Sequence, residues 1–153
     1  MRESTNEAVP HQTTLNDLLA SEISAVEIYN QALDAVSQDP GVAGELRRLL
    51  ADHERAVTQL RRFIRLKGEA PASDSGLWGL GAKVTQGIAK RLGTAMVLRA
   101  LREGEIHSQW KYENLVRQVL EPETPSVVAF AARQGVVQQQ HIDTLARLLE
   151  AAA

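Results

Sequence analysis

The 153-residue chain has no cysteine. That excludes disulfides, iron–sulfur clusters and zinc–thiolate sites. Aromatic residues make up only 4% of it. Ala, Leu, Val, Glu, Gln and Arg dominate instead, a mixture that favours helices. Neither sign of charge prevails, and the net charge of -2 gives no electrostatic reason to expect nucleic acid as a partner. No apolar run approaches membrane-spanning length. The polar stretch from Met1 to Thr13 lacks the apolar core of a signal peptide, so the expected location is the cytoplasm. A Gly-rich phosphate loop and a nucleophile elbow are also missing.

What is present is helical periodicity. Residues 1–12 read as a disordered leader, and 13–152 as one domain. Thr14 opens a helix expected over about 14–37, with Leu15, Leu18, Leu19, Val26, Tyr29 and Leu33 on one face. Asp39-Pro40-Gly41 is a turn signal. A second helix over about 42–67 carries Leu46, Leu49, Ala56, Leu60 and Ile64, and ends near Lys67-Gly68. The short turn makes these two antiparallel neighbours. A short, glycine-weakened helix is expected over 77–92. A third long helix is expected over 94–120, and a fourth over 125–151, capped by Thr124 with Pro125 at its first position. The expected fold is all-α: a four-helix bundle of two hairpins, joined by a long crossover that carries the short extra helix.

Each long helix interrupts its apolar stripe with one polar residue: Glu22, His53, Glu105 and His141. A buried Glu or His is costly unless it is paired or ligates a metal. The hairpins also repeat each other. SEISAVEIYNQAL (21–33) aligns with GEIHSQWKYENLV (104–116), placing Glu22 on Glu105 and Tyr29 on Tyr112. HERAVTQLRR (53–62) aligns with HIDTLARLLE (141–150), placing His53 on His141. The interruptions of the core therefore coincide in the two copies.

This arrangement resembles the ferritin-like superfamily, particularly bacterioferritin and rubrerythrin, over about residues 14–150. Glu22/Tyr29 and Glu105/Tyr112 match the Glu that precedes a Tyr by seven on the first and third helices. His53 and His141 match the histidines of Glu-x-x-His on the second and fourth. The stretches LWGLGAKVTQGIAKRL and LREGEIHSQWKYENLV are similar to a bacterial ferritin-like subfamily known mainly as a domain of unknown function. The resemblance implies an antiparallel bundle with a di-metal centre, in which the Glu of each Glu-x-x-His bridges the ions. Here Leu50 and Gln138 stand at those positions, so the centre is degenerate and an intact ferroxidase or di-iron oxidase is not expected.

Two divalent ions carry more charge than Glu22 and Glu105 can offset, whereas one ion with two carboxylates and two neutral imidazoles sums to zero. Two readings are open. In the first, Glu22, His53, Glu105 and His141 form a metal-free hydrogen-bonded network joined by Tyr29, Tyr112 and Gln138. The protein is then structural or interacting, not an enzyme, and assembles as a homo-oligomer, a dimer or larger. In the second, the same four residues hold one iron, zinc or manganese ion, with Tyr29, Tyr112 and Gln138 around them, in a redox or storage-related role. Glu103, Asp52, Glu54 and His107 would reach the centre only after rotation of their helices. Residues 77–91, with Trp78 and the cations Lys83, Lys90 and Arg91, are read as bundle packing. A dimer interface or a membrane-surface helix in a hydroxylase relative is the sharper alternative.

Overall fold

The computed structural model describes residues 12–74, 93–118 and 122–152. The expected leader up to residue 11, the expected helix at 77–92 and the readings attached to Trp78 lie outside the described residues. Four helices are present and no strand among the described residues: α1 (Leu15–Ala35), α2 (Pro40–Leu66), α3 (Thr94–Arg117) and α4 (Pro125–Ala151). None is long and apolar enough to cross a membrane.

Local chemistry sets their ends. Thr14 accepts a hydrogen bond from the Asp17 amide, and the Asp17 carboxylate accepts from the Thr14 amide, closing a capping box. The Asp39-Pro40-Gly41 signal, read as a turn, is the start of α2. Asp39 caps the Val42 amide and Pro40 takes the first helical position, where its missing N–H costs nothing. This moves the expected start back from residue 42. Gly68, at φ 78°, turns the chain out of α2 in the left-handed region that a side chain disfavours. Thr124 and Pro125 open α4 as expected. Helix α3 ends at Arg117, short of residue 120.

Side-chain contacts fix the topology. Tyr29 reaches Glu105 while Tyr112 reaches Glu22, so α1 and α3 run antiparallel. Asp52 reaches His141 while Lys67 reaches Glu123, so α2 and α4 do too. Packing is closest within each hairpin, α1 on α2 and α3 on α4. Helices α2 and α3 are therefore parallel, and the connection between them is a crossover rather than a hairpin turn.

The apolar core is divided in two. One half gathers Leu15, Leu18, Leu19, Leu60, Ile64, Leu115 and Phe130. The other gathers Val36, Leu46, Leu49, Leu98, Leu101 and Leu145. Each such side chain contributes about 1.5–3 kcal/mol on full burial. Between the halves lies one polar layer.

Candidate metal centre

That layer consists of the four residues that interrupt the apolar stripes. Glu22 and His53 are 1% exposed, and Glu105 and His141 are 2% exposed. The helical period brings each to the bundle axis. Close packing above and below keeps all four out of bulk solvent.

His53 bridges the two carboxylates. Its Nδ1 lies 2.6 Å from Glu22 Oε2, and its Nε2 lies 2.9 Å from Glu105 Oε1. Burial alone would make the ring a weaker base. The Glu22 charge and the hydrogen bonds to both carboxylates outweigh burial and raise the His53 pKa to about 10. Without a metal, His53 is an imidazolium that donates from both nitrogens.

Glu105 is the hub. Its Oε1 accepts from the Tyr29 hydroxyl and faces His53 Nε2 and His141 Nδ1, the latter at 3.2 Å. Burial would push this carboxyl up, but the hydrogen bonds from His141 and His53 hold it down at about 2. Tyr112 donates to Glu22 Oε1 at 2.6 Å. Burial and the neighbouring carboxylates push both phenols well above their usual range, so each remains a neutral donor. The two Tyr–Glu bonds cross between the hairpins, as a twofold relation between the aligned repeats requires.

Asp52 corrects the sequence reading, which keeps it away unless its helix rotates. It reaches the centre without rotation, its Oδ2 lying 2.9 Å from His141 Nε2. Burial raises its pKa, but the hydrogen bonds from His141 and Arg55 prevail and lower it. Asp52 precedes His53 in sequence, so a helical turn aims it at α4 rather than at the axis. The signal that could have revealed it is the asymmetry of the repeat, since its counterpart in the second copy is the exposed Gln140. His107 stays on the surface, stacked on Trp110 at 6.4 Å.

Gln138 is buried one turn before His141, as placed by the sequence, but it does not join the hydrogen-bond network. Its Oε1 has no partner among the described residues, and neither does Glu105 Oε2. An unmatched buried acceptor costs about 1–3 kcal/mol, and a charged one more. Meanwhile one ligand atom from each of His53, Glu105 and His141 lies within 4.8 Å of the others. Two imidazole nitrogens and a carboxylate oxygen are a donor set for a divalent transition metal. Both rings also have a carboxylate on the nitrogen away from this cluster, Glu22 behind His53 and Asp52 behind His141. Metal-ligating histidines characteristically have this support.

A family model described as "Domain of unknown function (DUF2383)" matches residues 11–118, and the chain belongs to that family. No curated protein and no solved structure matches the chain.

Proposed function

For a member of that family, we propose a metal-binding role: a ferritin-like bundle whose degenerate centre holds one divalent transition-metal ion. His53 Nε2, His141 Nδ1 and a Glu105 oxygen are its ligands. Glu22 fixes the His53 ring and Asp52 fixes the His141 ring. The observation that carries this reading is the buried Glu105 Oε2, a charged acceptor with no donor among the described residues. A cation would satisfy that oxygen, which no protein donor among the described residues reaches.

Charge supports the same reading. With His53 protonated, Glu22, Glu105 and His53 together carry one negative charge in a buried layer. If a divalent ion replaces the His53 Nε2 proton, the ion and the two buried carboxylates sum to zero. Binding therefore releases a proton. When bound, such an ion supplies a Lewis acid with coordination positions left open by the protein. The chain's own residues hold the two rings in place, keep Tyr29 and Tyr112 as proton donors, and cover the layer on both sides with the two apolar halves.

A second reading is also supported by a specific observation. The His53 imidazolium and the Tyr112 hydroxyl already satisfy both oxygens of Glu22, and His53 and Tyr29 satisfy one oxygen of Glu105, which supports a metal-free structural network. Elemental analysis of protein purified without a histidine tag separates the two. The metal reading expects about one equivalent of iron, zinc or manganese, lost in His141→Ala, and a midpoint of thermal unfolding that falls with chelator. Metal-free protein that also fails to take up added metal, with a midpoint indifferent to chelator, would leave the structural network as the function of these residues.

A further inference from the structure

We propose that the cleft between α1 and α3 binds a small monoanion, best a short-chain carboxylate, next to the metal centre. Lys111 selects its charge, and Gly104 leaves its space open. The inference rests on the metal reading for what the anion meets at the inner end of the cleft.

The cleft is open to solvent on one side and offers about 120 Å³. At about 30 Å³ per water in the liquid, it holds about four waters or a molecule of a few heavy atoms. It is too small for an extended ligand, since such pockets begin at about 300 Å³. Its inner end is formed by His53 and Glu105, two of the three clustered ligands. Ala25, Ile28 and Ala100 give it apolar walls suited to a short alkyl group.

Above that inner end the polar lining is Ser21, Ser24, His107, Ser108 and Lys111. Lys111 Nζ donates to Ser21 Oγ at 2.5 Å, which holds the ammonium over the cleft. Partial burial lowers the Lys111 pKa against the opposing pull of Asp17. A partly dehydrated ammonium gains from an anion. A two-histidine, one-carboxylate centre retains positions for an outside oxygen donor.

Gly104 makes the cleft testable. It lies on α3 and lines the space, and a Cβ built there meets nothing within 4 Å. Gly104 is exposed at the rim of the cleft, so Gly104→Leu adds bulk at its mouth without a backbone clash, and leucine is a better helix former than glycine.

The experiment loads the full chain with cobalt(II) and titrates acetate, following the visible absorption of the metal. Azide serves as a compact anion without a carboxylate. Metal content is measured on every sample. We expect saturable spectral change with acetate, at least tenfold weaker binding in Lys111→Met, and none in Gly104→Leu, with cobalt stoichiometry unchanged in both. Azide that binds while acetate does not would overturn the carboxylate assignment. Cobalt-loaded protein that ignores both anions, or binds them equally well in Gly104→Leu, would overturn the cleft inference and leave the metal reading intact. If the wild type takes up no cobalt, the metal reading fails by itself. Amide NMR shifts of the metal-free protein with acetate then decide the cleft. Shifts at Ser24 and Gly104 that vanish at Ser24 in Gly104→Leu support it, and their absence overturns it.

Discussion

The two half-sites, Glu22–His53 from the first hairpin and Glu105–His141 from the second, align as copies in sequence and are not equivalent in the folded protein. His53 spans both carboxylates of the layer, whereas His141 shares Glu105 and turns its other nitrogen to Asp52. Three polar groups meet Glu105 on Oε1 and none among the described residues meets Oε2, while Glu22 has one partner on each oxygen. The repeat breaks at two aligned places. Leu50 faces Gln138 in the alignment, and Asp52 faces Gln140. Two repeated half-sites make one centre with a hub and a support, and the burden of charge falls on Glu105.

The strongest way to break this comparison is to remove each carboxylate separately. Glu105→Ala strands a buried imidazolium and should cost about 3–5 kcal/mol in urea denaturation with chelator present. Glu22→Ala should cost less. Equal losses would mean that the half-sites are still equivalent.

The pH dependence of the metal-free protein sharpens the same contrast. The folded His53 pKa is raised from 6.5 to about 10, so its stabilisation is complete below 6.5 and lost as pH rises toward 10. The folded Glu105 pKa is lowered from 4.5 to about 2, so its contribution is complete above 4.5 and lost as pH falls toward 2. Stability should therefore be greatest between 4.5 and 6.5 and decline on either side. His53→Gln should remove the alkaline decline. An alkaline slope that survives this substitution belongs to another group.

Metal affinity probes the two supports. Asp52→Asn should weaken binding by about 10–100-fold, as should Glu22→Gln, because each loosens one ring. Gln140→Ala, at the aligned surface position, should change nothing. In the other direction, Leu50→Glu with Gln138→Glu introduces the two carboxylates that the proposed ferritin-like reading would place there. Elemental analysis should then rise from about one to two metal equivalents. A double variant that still holds one ion would count against the proposed ferritin-like reading of the centre.

The smallest expected effect lies away from the layer. Gly104→Ala fills open space on α3 and should stabilise the protein by about 1 kcal/mol, read as a rise in the thermal midpoint. A loss of stability there would show that the cleft is already occupied by packing.

Local residue patterns account for the four helices, their main caps and the four polar residues that interrupt their apolar faces. These depend on the 3.6-residue period and on side chains that cap their own backbone, both local properties. The pairing of Glu22 with His53 and of Glu105 with His141 was legible for the same reason. Asp39-Pro40 was legible only as a turn, because one tripeptide can either complete a chain reversal or start a helix, and the residues after it make the choice. Only the tertiary structure decided that Asp52 joins the centre, that His53 bridges both carboxylates, and that Gln138 is buried with its Oε1 unmatched among the described residues. Those outcomes depend on how one helix is rotated against another. That rotation is set by the packing of Leu, Ile and Phe side chains in the two core halves, and no spacing along a single helix records it.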